Sequence, residues 1–247
     1  MKKYWNAFWM CQSMFCSIPC PIHIWDEEAR PYMLLFLPVI GLEMGLLWCL
    51  TGLTCRWLNF PSMVSGLVLS LLPYFVIGFI HLDGYMDVTD AVGSYRDLEK
   101  RRMILKDSHV GAFAVIGCVI LMLTNFAFCS SADGDCEILI FVPVVSRCCS
   151  AMAVTCLRSM STSQYAGAFK AGVSKKQPII LSVMLAMTIL LAYITCGNYV
   201  LVLLAGLVGY GIALYKGFHG LDGMNGDISG YALTLSELAS LGAWALM

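Results

Sequence analysis

Charged residues are scarce in this chain, and this scarcity alone limits the class of protein to which it can belong. Asp, Glu, Lys and Arg make up 13% of the 247 residues, whereas 59% are hydrophobic. An ordinary soluble domain carries about 25% charged residues. Long, weakly charged apolar runs are typical of a polytopic membrane protein. The net charge of −1 supplies no overall positive field, so we expect no nucleic-acid partner.

Several common sequence signatures are also absent. The chain has no P-loop, no G-x-S-x-G and no H-E-x-x-H, so Walker-type ATP hydrolysis is not supported. Its twelve cysteines include no C-x-x-C pair and are scattered through apolar runs. Buried cysteine usually behaves as a small hydrophobic residue. We therefore expect most of these thiols to serve packing, and neither a zinc site nor a disulfide framework.

The apolar runs predict an all-α fold, a polytopic helical bundle in the membrane. A spanning helix needs about 20 apolar residues, and seven runs approach or exceed that length. We therefore expect about seven transmembrane helices within a single membrane-embedded domain over 1–247, in contact with membrane lipid. The runs lie near 32–55, 62–80, 110–129, 137–157, 178–196, 198–216 and 230–247.

The N-terminal segment is predicted to be an uncleaved interfacial helix. Lys2 and Lys3 precede an apolar run from Tyr4 to Cys16, as in a signal peptide, but no clean small-residue cleavage site follows. A partly amphipathic helix lying at the membrane surface fits this composition better.

The distribution of basic residues predicts the orientation of the bundle. With the N-terminus inside, thirteen of the fifteen Lys and Arg residues fall in or at the edge of the inner segments. Because cytoplasmic loops carry an excess of Lys and Arg, we expect a multi-pass membrane protein whose inner segments face the cytoplasm. The inner segments are 1–31, 81–109, 158–177 and 217–229.

The most informative stretch contains three aspartates at helical spacing. Asp83, Asp87 and Asp90 stand at i, i+4 and i+7, so a helix projects all three from one face. Three like charges on one face destabilise a helix unless a positive group lies between them. Mg2+, which proteins hold through a few carboxylates, waters and substrate phosphates, would supply that charge. The alternative is an ordinary solvated acidic helix start.

Basic residues follow these aspartates along 91–106. They are interleaved with apolar residues, so they indicate either a positive-inside interfacial segment or a set of phosphate-binding cations. Arg96 and Lys106 are candidates for the second role. The polar inner loop 158–177, which includes Thr162, Ser163 and Lys170, is a further candidate for holding a large substrate.

A second acidic, glycine-containing cluster interrupts the C-terminal region. Asp222, Gly223, Asn225, Gly226 and Asp227 partly repeat the first motif. Glycines allow close backbone approach and expose amide N–H groups, which suits phosphate binding. A flexible connector is the alternative. Because both clusters are predicted on the cytoplasmic face, we expect them to form one site.

Three charged residues fall within predicted spans. Arg147 is costly to place in hydrocarbon, so it should face the protein interior or a polar cavity. Glu43 invites the same inference more weakly. Glu237 follows the second cluster by ten residues and could reach the same cavity.

The residues alone favour metal-assisted transfer between phosphate-bearing molecules at the cytoplasmic face. Mg2+ would neutralise a diphosphate and the charge on the departing phosphate. A CDP-alcohol phosphotransferase would use similar chemistry, although the Ala-Arg that usually follows its Asp-Gly is missing here. A transporter is the other alternative, but it would place its polar groups near the bilayer midplane rather than on one face.

A closer resemblance covers nearly the whole chain. The elements His81-Leu-Asp83-Gly84-x-x-Asp87-x-x-Asp90, Lys106-Asp107-Ser108-x-Val-Gly111 and the late Gly223-x-x-Gly226-Asp227-x-x-Gly230 resemble the cobalamin synthase family, the adenosylcobinamide-GDP ribazoletransferases. Pro38-Val-Ile-Gly41 and Ser146-Arg147 are similar to the family too. The resemblance implies an integral inner-membrane enzyme that requires Mg2+. It implies that adenosylcobinamide-GDP and alpha-ribazole, or its 5'-phosphate, are joined with release of GMP.

The resemblance and the residue chemistry together suggest roles. Asp83, Asp87, Asp90 and Asp227 are the predicted metal ligands. Catalytic roles are predicted for His81 or Asp107 as the base and for Lys106 and Arg147 as cations that stabilise the leaving GMP. Predicted substrate-binding residues are Arg96, Ser108, His109, Gly223, Asn225, Gly226 and Glu237. A homo-oligomer is expected on general grounds only.

Overall fold

The described part of the chain is mainly helical in the computed structural model, which describes residues 2–161 and 172–247. Within these ranges there is no β-strand, only one isolated bridge between Ser159 and Met224. The ten α-helices of the described residues are α1 (Lys2–Phe15), α2 (Leu37–Trp57), α3 (Ser62–Ile77), α4 (Ile80–Gly93), α5 (Leu98–Ile104), α6 (Ala112–Ser131), α7 (Val142–Cys156), α8 (Lys176–Cys196), α9 (Val200–Leu221) and α10 (Gly226–Ala245). Short 3-10 helices cover Arg30–Leu35, Cys136–Ile140 and Gly197–Tyr199.

Four stretches of the described chain are long and apolar enough to cross a membrane, or five if the bent pair α3–α4 counts as one. This confirms an all-α membrane protein but does not confirm the predicted count of seven spans. One stretch, Lys176–Leu221, joins two predicted runs and is divided by the 3-10 turn at Gly197–Tyr199. The others are Leu37–Trp57, Ala112–Ser131 and Cys136–Cys156.

The remaining two predicted runs differ from the candidate spans for identifiable reasons. The run 62–80 is cut short because α3 ends at Ile77. The last run forms α10, whose Asp227, Thr234 and Glu237 make it too polar to qualify. Polar side chains on a helix within a membrane protein must face protein rather than lipid, so α10 belongs at the centre of the bundle.

Helices α7 and α10 form that centre. Nearly all of α7 and half of the residues of α10 are buried, and α10 packs against α4, α6, α7 and α9. In contrast, α6 and α8 turn apolar side chains such as Ile120 and Ile194 outward. Outward apolar faces suit contact with hydrocarbon, whereas association between helices depends on close packing.

Small residues permit that close packing. On α2, a Cβ at Gly41 would lie 2.8 Å from the side chain of Arg147, and one at Gly45 would collide with the carbonyl group of Ile140. On α9, a Cβ at Gly209 would lie 2.6 Å from Ala239 on α10. The twelve thiols are all free and eight of them are buried, which agrees with a packing role.

A sharp bend between α3 and α4 directs the acidic helix away from its predecessor. Gly78 and Phe79 both have positive φ, of 71° and 65°, and the two helix axes differ by 95°. The end of the α1 segment fixes this bend, because Ser17 donates its backbone N–H to the Val76 carbonyl at 2.8 Å and its hydroxyl to the same oxygen at 2.9 Å. Those donors satisfy a carbonyl that the end of α3 leaves free.

The predicted N-terminal helix is present as α1. It exposes Tyr4 and Trp5 while burying Ala7, Met10 and Cys11 against the 3-10 helix Arg30–Leu35 and α2. Exposed aromatic side chains of this kind are favourable at a membrane interface. The interfacial position of α1 stays a prediction.

The close approach of α2 to the segment Cys136–Ile140 should be essential for stability. Replacing Gly45 with alanine forces a Cβ into backbone, so we expect Gly45→Ala to lower the melting temperature of the detergent-solubilised protein by several degrees. Gly211→Ala is the matched control, because a Cβ at that helical position meets nothing within 4 Å. It should leave the melting temperature unchanged or raise it. Equal effects of the two substitutions would contradict the close packing.

Candidate functional site

The three aspartates of the first motif lie on α4 and share one side of it, as their spacing predicts. The other side of the helix carries the buried residues Gly84, Tyr85, Val88 and Ala91. Asp83 is exposed, whereas Asp87 and Asp90 are half-buried. The helix therefore presents its carboxylates at the edge of the bundle while its apolar face is fixed by packing.

Asp90 contacts the beginning of α6. The backbone N–H of Ala114 donates to Asp90 Oδ1 at 3.4 Å, and an anion is favourable at this positive end of a helix. Gly111 precedes the helix, and a Cβ there would collide with the Asp90 carboxylate. Sequence reasoning assigned no role to Gly111. The sequence feature that could have indicated a role is its position in the Lys106–Gly111 motif, directly before an apolar run.

Asp227 is the residue of the second motif that contacts the helix of the first motif. It lies in the first turn of α10, where Asn225 caps the helix by accepting the Ile228 N–H at 2.9 Å. The Asn225 side-chain amide also donates to Asp227 Oδ2 at 2.6 Å, which orients that carboxylate. A Cβ at Gly84 would lie 2.9 Å from the Asp227 carbonyl oxygen. Glycine at position 84 thus lets Asp227 lie directly against α4.

The four carboxylates influence one another. Burial raises the pKa of Asp87 to about 7, and the negative charges of Asp83, Asp227 and Asp90 contribute. Burial, together with the Asp83 charge, also raises the pKa of Asp227, although the hydrogen bond from Asn225 opposes this. Within residues 2–161 and 172–247, no group of three or more His, Cys, Asp or Glu side chains is positioned to hold a metal ion. The carboxylates are therefore neighbours that repel one another, rather than a preformed cage.

Asp222 belongs to a separate ion-pair network. It pairs with Arg158, which holds the pKa of its carboxyl low, and with Arg102 at 3.3 Å. Arg102 also donates to the Leu221 carbonyl at 3.0 Å at the end of α9. Gly223 is packed rather than open, since a Cβ there would lie 2.7 Å from Met160. These residues hold the α9–α10 turn in place beside the carboxylates.

The loop before α6 contributes a hydrogen-bonded pair. Asp107 accepts the backbone N–H of His109 at 3.0 Å and contacts its ring Nδ1 at 2.7 Å. These contacts lower the pKa of Asp107, and the hydrogen bond from the His109 backbone contributes most. His109 lines the same small pocket as Asp83, Asp87 and Asp90. The remaining predicted residues of this region, Arg96, Lys106 and Ser108, are exposed.

A second polar group lies inside the bundle, away from the aspartates, and consists of His81, Arg147 and Glu237. Arg147 is 1% exposed and its Nη1 lies 2.6 Å from Glu237 Oε1, while Ser146 donates to the same oxygen at 2.9 Å. His81 lines a pocket with this pair, and its carbonyl accepts the Thr234 hydroxyl at 3.3 Å. The structure thus brings His81 to Arg147 and Glu237 rather than to the carboxylates. Of the polar inner loop, Thr162, Ser163 and Lys170 lie outside the described residues.

The raised pKa of Asp87 implies a specific dependence of stability on pH. The folded protein keeps this proton up to about pH 7, whereas an unfolded aspartate loses it near pH 4. Because the folded state then binds more protons, we expect stability without divalent cations to fall between about pH 4 and pH 7. Melting temperatures of Asp87→Asn should show a shallower fall.

Asp135→Asn, in an exposed position at the start of the Cys136–Ile140 segment, is the matched control for that measurement. Its profile should follow that of the wild type. A profile of Asp87→Asn that also follows the wild type would contradict the assignment of the raised pKa.

The buried Arg147–Glu237 pair should contribute more to the free energy of unfolding than an exposed ion pair. Glu237→Gln keeps the shape of the side chain but leaves the Arg147 charge unpaired, which we expect to cost about 3 kcal/mol of the free energy of unfolding. Glu28→Gln breaks the exposed pair with Lys3 and should lower the free energy of unfolding much less, because solvent screens that pair. Denaturation in detergent measures both, and a loss for Glu237→Gln as small as that for Glu28→Gln would refute the buried pairing.

Comparison with known proteins now assigns the family. The family model described as cobalamin-5-phosphate synthase matches residues 7–245. A protein of Clostridium perfringens (strain SM101 / Type A), named adenosylcobinamide-GDP ribazoletransferase, is 39% identical over 246 residues, with 98% of each chain covered. Proteins with the same name from Clostridium botulinum (strain Alaska E43 / Type E3) and Lachnoclostridium phytofermentans are 33% and 31% identical. They cover 98% and 96% of this chain, and 97% and 92% of their own lengths are covered. No solved structure matches the chain. The chain belongs to the cobalamin-5-phosphate synthase family.

Proposed function

We propose that this protein is a cobalamin synthase, a membrane-embedded transferase that joins adenosylcobinamide-GDP to alpha-ribazole or its 5'-phosphate. The products are adenosylcobalamin, or its phosphate, and GMP. Relatives that match nearly their full length carry the corresponding name. The observation on which the proposal mainly rests is the contact of the Asp227 backbone with α4 at Gly84, which brings the second motif close enough for the Asp227 charge to raise the pKa of Asp87.

In the proposed reaction, one P–O bond forms and one breaks. A ribose hydroxyl oxygen of the ribazole attacks the phosphorus nearest the corrinoid. The bond from that phosphorus to the oxygen bridging to the guanosine-bearing phosphate breaks, and GMP departs with the bonding electrons. The hydroxyl proton passes to a base on the protein.

Mg2+ fits the donor set that these carboxylates provide. Asp83, Asp87, Asp90 and Asp227 offer the hard oxygen ligands that Mg2+ prefers, and their mutual repulsion would be relieved by a cation. Mg2+ commonly uses one or two carboxylates and completes its coordination with waters and substrate phosphates, so a preformed cage of three ligands is not required. When bound, it would supply charge neutralisation for the diphosphate and for the departing GMP.

The side chains around the carboxylates suggest how the substrates are handled. Asp107 is the candidate base that we favour over His81, because it holds His109, which shares the pocket of the aspartates, whereas His81 faces Arg147. Arg96 and Lys106 are exposed in the same segment and would attract the diphosphate. The amide of Gly226 lies in the first turn of α10, where a Cβ would meet nothing within 4 Å, so a phosphate could approach it.

Other predicted residues receive supporting roles. Asn225 orients Asp227, and the Arg147–Glu237 pair would fix α7 against α10 rather than bind GMP. The excess of Lys and Arg in the predicted inner segments supports an active site that faces the cytoplasm in a bacterial or archaeal inner membrane. Contact with membrane lipid and assembly into a homo-oligomer stay predictions.

GMP release tests this function. The wild-type protein in membranes or detergent should release GMP only when adenosylcobinamide-GDP, alpha-ribazole and Mg2+ are all present. Asp83→Asn should lower the rate at least about 100-fold, since a metal ligand is removed.

Asp135→Asn, which removes a carboxylate elsewhere on the surface, should retain the wild-type rate. Absence of GMP release from well-folded wild-type protein would overturn the function. Full activity of Asp83→Asn would retain the function and overturn the site.

A further inference from the structure

An open cleft lies directly beside the carboxylates and is not used by the roles assigned above. We call it the α1–α4 cleft. It has a volume of about 570 Å3 and lies between the end of α1 and the α3–α4 bend. Asp83 lines it, so the cleft and the carboxylate group share a wall. Pockets for ligands of drug size typically have volumes of about 300–1,000 Å3.

The side chains that line this cleft are mainly apolar. Met14 comes from α1, and Ile77, Phe79 and Ile80 come from the bend. The polar side chains of Cys16 and Ser17 are already engaged, because the thiol contacts the Val76 carbonyl at 3.5 Å and the hydroxyl donates to the same carbonyl at 2.9 Å. Among the described residues that line the cleft, Asp83 is the polar side chain that remains available.

Phe79 presents an aromatic ring at a backbone position that disfavours it. Its φ of 65° lies in the left-handed region, which is a genuine outlier for a bulky residue. Yet 46% of Phe79 is exposed, so burial of its ring does not offset the strain. Residues held in unfavourable backbone conformations cluster at ligand sites. The ring also makes an edge-to-face contact with Phe75, with ring centroids 5.3 Å apart.

We propose that the α1–α4 cleft binds the base of the ribazole acceptor, stacked on Phe79 with its ribose directed toward Asp83. This inference rests on the proposed function. A ribazole is a ribonucleoside of a benzimidazole, whose flat, largely apolar base suits apolar walls and an aromatic platform. With the base in the cleft, the ribose hydroxyl reaches the carboxylate end, where the diphosphate of the other substrate is expected.

The other large groups in the reaction fit this cleft less well. Guanine carries donors and acceptors along its edge, and the side chains of Met14, Ile77 and Ile80 offer no hydrogen-bond partners for them. The corrinoid macrocycle carries polar amide side chains around its rim, which these apolar side chains match no better. The cleft therefore favours the most apolar of the three groups.

Steady-state kinetics of Phe79→Gly separate a binding role from a structural one. Glycine relieves the strain at positive φ, so the melting temperature should stay at or above that of the wild type. We expect the KM for alpha-ribazole to rise about tenfold, the order expected when one base–aromatic stack is lost. The KM for adenosylcobinamide-GDP should stay unchanged.

Phe75→Ala is the matched control, because Phe75 contacts the same ring but does not line the cleft. It should leave both KM values near those of the wild type. Met14→Ala removes the opposite wall and should reproduce the selective rise for alpha-ribazole if Phe79→Gly fails to fold.

Two results would overturn the assignment. An unchanged KM for alpha-ribazole in both cleft variants would leave the ring without a role in binding. A rise confined to the KM for adenosylcobinamide-GDP would assign the cleft to the other substrate. Calorimetric titration of alpha-ribazole into wild-type protein and Phe79→Gly measures binding without turnover. A failure of the proposed reaction is therefore distinguishable from a failure of this inference.

Discussion

The close approach of α4 to α10 is the contact on which the candidate site depends. Two glycines, one on each helix, make it possible: Gly84 lies against Asp227, and Gly230 lies against His81, where a Cβ would be 3.2 Å from the His81 Cα. Tyr85 and Tyr231 then stack between the helices, with ring centroids 5.7 Å apart. In a membrane, where apolar side chains gain little by leaving lipid for protein, such close packing is a main source of helix association.

This contact explains how a stable bundle can tolerate a repulsive group of carboxylates. The apolar face of α4 is held by α10, while Asp90 is held at the positive end of α6 and Asp227 by Asn225. Burial, with the added repulsion of its neighbours, makes Asp87 retain its proton more strongly than an ordinary aspartate. A cation bound there, as the proposed function expects, would relieve this repulsion.

The sequence predicted the local parts of this arrangement better than the tertiary parts. The spacing of Asp83, Asp87 and Asp90 was sufficient to place them on one face of a helix, because the period of a helix is fixed. The separate ion pairs of Asp222 could not be predicted, since glycine-rich acidic segments look alike whether they face a ligand or an arginine. His81 was grouped with the aspartates because it is adjacent in sequence, although a two-residue offset turns it toward another side of the helix. The count of spans was not confirmed, because hydropathy alone does not show that α3 ends at a bend.

Binding of Mn2+, followed by electron paramagnetic resonance, tests most directly whether the two acidic motifs form one cation site. Mn2+ prefers the same oxygen ligands as Mg2+. If the motifs share one site, Asp83→Asn and Asp227→Asn should each weaken the same binding event, and the double variant should lose less than the sum of the two single losses. Retention of wild-type Mn2+ affinity in Asp227→Asn, or independent and additive losses, would contradict a shared site.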